Sequence, residues 1–198
     1  MLTNGVSGDG GPLDVGTPPA ILAPMGPEMT LVPMTDPEYA EFAEAQVAEH
    51  ARQRMNAGEW TPDEAAYLAR QGTEDLRSDA LRGTGHVFYR GVDAAGSRVG
   101  WLWIAPGTMP FLDRYGPVDR SRVRWLGQIT VEEPLRGRGY GRGVLDALHR
   151  LLESEGVTDL YLRVYDWNDA ARRLYVGAGY EVVAQFPTDA HMRRRLGP

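Results

Sequence analysis

The sequence predicts a single mixed α/β domain in which a central sheet is flanked by helices. Three observations carry that prediction. Apolar spacing switches repeatedly between period two and period 3.6 along the chain, as it must where strands and helices alternate. Gly, Pro and helix-capping residues punctuate each switch. The 198 residues are 42% hydrophobic, enough for one ordinary core, and contain no internal repeat.

Residues 1–28 hold 6 Gly and 5 Pro with little apolar periodicity, the composition of a flexible tail, so the domain proper is expected over 29–198. Met25 and Met29 are both possible starts, since ordered patterning begins at Met29. Met29–Thr35 alternates as a short strand. Asp36-Pro37-Glu38 supplies an N-cap, a proline at N1 and a first-turn acid. Tyr39, Phe42, Ala43, Val47, Ala51 and Met55 follow at helical spacing and stop at Gly58. Thr61-Pro62-Asp63-Glu64 reads as a capping box, with a second helix to about Arg82.

His86–Val92 and Arg98–Ala105 form a strand pair around the turn Asp93-Ala94-Ala95-Gly96. Pro106–Arg122 is a loop longer than a hairpin needs. Trp125–Glu133 is a strand, and a glycine-rich turn leads from it into a helix marked by Val144, Leu145, Leu148, Leu151 and Leu152. Leu160–Tyr165 is a strand, and Asn168-Asp169 caps a helix through Val176. Tyr180–Phe186 and His191–Leu196 are the last two strands. The expected order is β-α-α-β-β-β-α-β-α-β-β.

Composition excludes several chemistries. There is no cysteine, and all 21 basic residues are arginine. Thiolate nucleophiles, thiolate metal sites and disulfides are therefore impossible, as are a lysine Schiff base and a Gly-Lys-Ser/Thr phosphate loop. The net charge of −6 argues against nucleic acid as partner. No apolar run long enough to span a bilayer occurs, nor does a secretion signal, so a cytoplasmic protein without a membrane partner is expected. Charge is uneven. Glu28–Asp79 holds 12 acids against four arginines, and Arg120 onward holds 13 arginines against 10 acids. That suits a cationic acceptor and an anionic donor, or simply solvated helix faces. His86, His149 and His191 are scattered without a carboxylate cluster, so no metal site is expected. Arg193-Arg194-Arg195 reads as a strand with alternating faces.

The segment Arg136-Gly137-Arg138-Gly139-Tyr140-Gly141-Arg142-Gly143 lies between a strand and a helix. Alternating glycines let the backbone curl and present successive N–H groups at a helix N-terminus, which makes a pyrophosphate cradle. Arg136, Arg138 and Arg142 can add charge. Both the Rossmann and the Walker spacings fail here.

Arg136-x-x-Gly139-x-Gly141 after a strand resembles the acyl-CoA pyrophosphate signature of the GCN5-related N-acetyltransferase (GNAT) superfamily. Asn168-Asp169-Ala170-Ala171-Arg172-Arg173-Leu174-Tyr175, followed by Gly179-Tyr180, resembles that family's Asn-x-x-Ala-x-x-x-Tyr segment. The two stand in the right order on matching elements, and the resemblance runs from about Met29 to Leu196. It implies the GNAT acyl-CoA N-acyltransferase fold, with a mixed sheet of six to seven strands.

The resemblance further implies that acetyl-CoA enters a V-shaped gap between the fourth and fifth strands. Backbone groups of Ile129, Thr130 and Val131 would pair with pantetheine, and one N–H would polarise the thioester carbonyl. Arg136, Gly137, Arg138, Gly139, Tyr140, Gly141 and Arg142 would hold the pyrophosphate. Asn168 would contact the cofactor arm, and is equally a helix N-cap. Tyr175, seven residues beyond Asn168 and so on the same helix face, would be the general acid for the departing thiolate.

The general base stays open. Relatives that acetylate peptide N-termini carry a glutamate twelve residues before the tyrosine, where this chain has Arg163. Glu132, Glu133 and Asp166 are the available carboxylates, and ordered water is another route. Trp101, Trp103 and Trp125, with Phe111, Tyr115, Tyr39 or Trp60, either wall the acceptor pocket or pack the core. The expected activity is direct transfer of acetyl from acetyl-CoA to the amine of a small molecule or peptide, by a monomer or homodimer. The alternative is a non-catalytic acyl-CoA sensor on the same fold.

Overall fold

The computed structural model describes residues 26–72, 82–108, 110–115 and 119–197. Residues 1–25 of the expected 1–28 tail, Met25 among them, and the expected end of the second helix near Arg82 fall outside the described residues or at their edge. The elements are β1 (Thr30–Pro33), α1 (Asp36–Asn56), α2 (Pro62–Gly72), β2 (Val87–Val92), β3 (Arg98–Pro106), β4 (Val123–Val131), α3 (Tyr140–Ser154), β5 (Asp159–Tyr165), α4 (Asp169–Gly177), β6 (Glu181–Gln185) and β7 (Asp189–Arg195). That is the expected order. The loop from 106 to 122 is less irregular than expected, because 3₁₀ turns form at Pro110–Tyr115 and Arg120–Arg122. The last strand begins two residues earlier than the apolar pattern indicated, because Asp189 and Ala190 pair with Tyr165 and Val164.

The seven strands form one sheet in the order β1-β2-β3-β4-β5-β7-β6. All neighbours are antiparallel except β4 and β5, whose parallel pairing follows from the α3 crossover between them. Leu102, Ile104, Leu126, Leu160, Leu162, Val164, Ala190 and Met192 share one face and bury against α3 and α4. The opposite face carries Phe88 and Trp101, which pack on Tyr39 and Phe42 of α1, and then Trp125 and Tyr161. α1 starts one residue earlier than its sequence indicated: Thr35, not Asp36, is the N-cap, because Glu38 closes a capping box on it, its carboxylate accepting from the Thr35 N–H at 2.9 Å. Ahead of β1, the Gly26–Met29 segment lies on α3. A methyl group on Gly143 would sit 2.2 Å from the Pro27 carbonyl oxygen, so only glycine permits this approach.

One irregularity positions the site. Trp103 faces Gln128 and Ile104 faces Leu126, so Gly127 is an extra residue in β4. A side chain there would meet the Trp103 ring at 2.8 Å. β4 pairs with β5 through only four residues, Val123–Leu126 against Asp159–Leu162. Beyond the bulge the two strands part.

Candidate active site

The parting leaves a fork whose polar lining follows from strand register. The Glu132 N–H donates to the Val99 carbonyl at 2.9 Å. Antiparallel alternation then turns the main chain of Thr130 and Gln128 toward β3 and that of Ile129 and Val131 toward the open side. On β5, the Asp166 N–H donates to the Thr188 carbonyl at 2.9 Å, which by the same alternation aims the main chain of Arg163 and Tyr165 into the fork. Of the three expected β4 residues, Ile129 and Val131 therefore offer N–H groups to the gap, while the backbone of Thr130 is spent on β3. The Thr130 hydroxyl accepts from the Gln128 amide at 3.0 Å.

The mouth of the fork is the glycine turn. Gly137 (φ 72°) and Gly139 (φ 85°) are left-handed, a conformation that costs glycine little. Gly139 is the N-cap of α3, and the first helical bond runs from the Gly143 N–H to the Gly139 carbonyl at 3.1 Å. The N–H groups of Tyr140, Gly141 and Arg142 thus project from the helix N-terminus without helical partners. Gly141 faces Val131 and Leu174, where a methyl group would meet Leu174 at 3.2 Å. The arginines divide. Arg138 is exposed and has no ion-pair partner among the described residues. The Arg136 Nε donates to the Val131 carbonyl at 3.0 Å. Arg142 donates to Asp146 at 2.9 Å and to the Gly177 carbonyl at 2.5 Å, fastening α3 to α4. This main-chain cradle has the donor chemistry for a pyrophosphate, and the exposed Arg138 lies in the same turn.

Tyr175 lies beneath the fork, 6% exposed, in the apolar cluster that also contains Val164 and Ile129 from the two diverging strands. Burial alone drives its phenol well above the usual range, so it stays protonated. Its ring is tilted against Tyr180 at 5.6 Å, and the Tyr180 hydroxyl pairs with His149 Nε2 at 3.0 Å. The Asn168 side chain accepts from the Ala171 N–H at 3.1 Å, which makes it the N-cap of α4.

The opposite face of the fork carries a polar network that the sequence reading left unconnected. Arg163 donates to Asp189 at 2.7 Å, lies 3.9 Å from Glu59, and stacks 4.5 Å over Tyr165. Asp189 is 5% exposed. His191 Nδ1 is hydrogen-bonded to the Tyr115 hydroxyl, and its Nε2 lies 3.9 Å from Asp189. His191 therefore has a single carboxylate beside it, because β7 begins early enough to carry both. No group of three or more potential metal ligands occurs among the described residues. Of the carboxylates expected as base candidates, Glu132 accepts from Arg98 at 3.0 Å and Asp166 from Arg172 at 2.6 Å, while Glu133 is exposed in the 3₁₀ turn Glu133–Leu135. Trp101 is buried under α1, Trp103 donates to His86 at 2.8 Å, and Trp125 packs with Tyr115 and Tyr161. Trp60 lies against His50 at 5.1 Å, and the side chain of Phe111 is outside the described residues.

The chain belongs to the Acetyltransferase (GNAT) family, whose model matches residues 44–180. It is 28% identical over 166 residues to the uncharacterized N-acetyltransferase YycN of Bacillus subtilis (strain 168), a match covering 84% of this chain and 97% of that protein. The crystal structure of YycN superposes with a TM-score of 0.69 at 26% identity, over 80% of this chain and 95% of that one. PaiA N-acetyltransferase from Thermoplasma acidophilum, in complex with coenzyme A, shares the fold at 13% identity, with a TM-score of 0.60 over 85% of this chain and 99% of that one. No helix among the described residues is long and apolar enough to cross a membrane.

Proposed function

We propose that this chain moves the acetyl group of acetyl-CoA directly to the amine of a small molecule or peptide within a ternary complex. The observation that carries this reading is the fork itself, with the free N–H groups of Ile129 and Val131 on one lip and the α3 N-terminus at its mouth. Amides of Gly137–Gly141 hold the pyrophosphate, and Arg138 adds charge. Asn168, while capping α4, keeps its amide N–H groups for the cofactor arm. A β4 N–H donates to the thioester carbonyl as negative charge develops on its oxygen.

Tyr175 donates a hydrogen bond to the departing sulfur. A phenol raised above 10 is a weaker acid than a thiol near 8.5, so it stabilises the thiolate first and gives up its proton last. An acyl-enzyme on cysteine is excluded by composition. The Tyr175→Phe variant is expected to lower turnover about 100-fold, within the usual worth of a general acid, with acetyl-CoA affinity unchanged by calorimetry. Unchanged turnover would remove Tyr175 from the chemistry. Absence of acetyl-CoA binding to the unmodified protein would remove the whole reading.

A further inference from the structure

We infer that Tyr115, His191 and Asp189 form a proton-accepting relay on the acceptor side of the fork, supplying the base that β5 lacks at Arg163. The inference rests on the acetyl-transfer reading above. His191 sits on β7, one strand removed from the fork, yet its imidazole reaches back over β5. Its ring meets Trp125 of β4 edge to face, with centroids 5.1 Å apart. Trp125 pairs with Tyr161 one step below the last β4–β5 pair, Leu126 with Leu162. The imidazole therefore lies at the apex where the strands begin to part.

Three segments converge on it. Tyr115 stacks on Tyr161 with centroids 5.2 Å apart and delivers its hydroxyl to Nδ1. Asp189 stands toward Nε2 and is fixed by Arg163 and by the Thr188 hydroxyl at 3.4 Å. Phe186 closes the other side, with centroids 4.8 Å apart. The charges facing the ring are Asp189 from its own strand, Arg163 from β5 and Arg114 from the 3₁₀ turn that carries Tyr115. The Tyr115 hydroxyl is in hydrogen-bond contact with Nδ1, and the Asp189 carboxylate, 3.9 Å from Nε2 and beyond hydrogen-bond reach, acts on the imidazole through its charge.

The amine nitrogen bonds to the acetyl carbon, and the carbonyl electron pair moves onto oxygen. The nitrogen, now positive, loses a proton to the Tyr115 oxygen while the Tyr115 proton passes to His191 Nδ1. The carbon–sulfur bond breaks with its pair on sulfur, which takes the Tyr175 proton. His191 then returns its proton to water and Tyr175 regains one. Burial, aided by Arg114 and Arg163 and opposed by Asp189, lowers the imidazole to about 4. It is therefore neutral and ready at physiological pH. Such a weak base takes the proton of the acylated nitrogen, not of a free ammonium, so the acceptor must arrive uncharged.

The test reads the tautomer of His191 by ¹⁵N NMR of the full chain, which has four histidines, with His191→Gln supplying the assignment. The relay requires Nδ1 unprotonated and Nε2–H in the neutral ring, a Nδ1 signal that moves in Tyr115→Phe, and a lower titration point in Asp189→Asn. A neutral ring protonated at Nδ1 overturns it. In parallel, CoA release from acetyl-CoA is followed with phenethylamine and glycinamide. Tyr115→Phe and His191→Gln should each lower kcat 30- to 100-fold with KM for acetyl-CoA held within twofold. If these amines are acetylated and the variants match the unmodified rate, the relay is wrong and acetyl transfer stands. If neither amine is acetylated although acetyl-CoA binds, the acetyl-transfer reading falls and the relay falls with it, whatever the tautomer.

Discussion

The two sides of the fork are built from different material. On the side proposed for the donor, the groups left open are main chain: the N–H groups of Ile129 and Val131, and those opening α3. Side chains there mostly brace the frame, as Arg142 does between Asp146 and Gly177. On the side proposed for the acceptor the groups are side chains, gathered from the α1–α2 turn (Glu59), the 3₁₀ turn (Tyr115), β5 (Arg163) and β7 (Asp189, His191). A main-chain site is damaged by adding a side chain where none fits. A side-chain site is damaged by removing one of a set that neutralises itself in a half-buried place.

The sharpest way to break this contrast is Gly100→Ala, directly behind the donor lip. The new methyl would lie 1.9 Å from the Thr130 carbonyl oxygen, backbone that cannot step aside without opening the β3–β4 ladder. A loss of about 3 kcal/mol in urea unfolding is expected, the upper range of overpacking. A loss below about 0.5 kcal/mol would mean that the strands are not so closely held.

The next effect is electrostatic. His149 is 3% exposed, and burial, with Arg194, Arg142 and Arg150 nearby, pushes it down to about 3. Its unfolded value is near 6.5, so between those values the unfolded chain binds the extra proton. Stability is complete above about 6.5 and falls as pH drops toward 3, by about 2 kcal/mol at pH 5. His149→Gln, which keeps a partner for Tyr180, should flatten that slope in pH-dependent melts.

A smaller loss, about 1.5 kcal/mol, is expected for Arg163→Met. It strands the Asp189 carboxylate in a buried place, discounted because Arg163 retains some solvent contact. An unchanged melt would show that Asp189 is held by other groups. The smallest effect compares two arginines of one turn. Arg138→Ala should weaken acetyl-CoA a fewfold and flatten its salt dependence, whereas Arg142→Ala should leave affinity alone. Equal effects in calorimetry would erase the distinction between bracing and binding arginines.

Contiguity explains what could be read in advance. The order of elements, the glycine turn and the Asn168 cap each occupy neighbouring residues, so local period and capping chemistry reveal them. The Gly127 bulge does not show locally, since a lone glycine in a strand pattern becomes an extra residue only against Trp103 and Ile104. Asp189 was hidden for a similar reason. It reads as a turn residue after Pro187-Thr188 until pairing with Tyr165 draws it into β7. With it comes the neighbour that gives His191 its meaning. Arg142 reads by position as charge for the phosphates, and the packing of α4 adds a carbonyl partner that the sequence does not show.

The short parallel ladder has a mechanical consequence. Strands β1–β4 form one plate and β5–β7 another, and within the sheet the seam between them is four residue pairs at one end. A plate joined along part of one edge can flex about that edge. A molecule that hydrogen-bonds to both open lips stitches the rest of the seam, and it stabilises the fold by mass action in proportion to its occupancy. Hydrogen exchange at Ile129, Val131, Arg163 and Tyr165 should therefore slow together when the seam is filled.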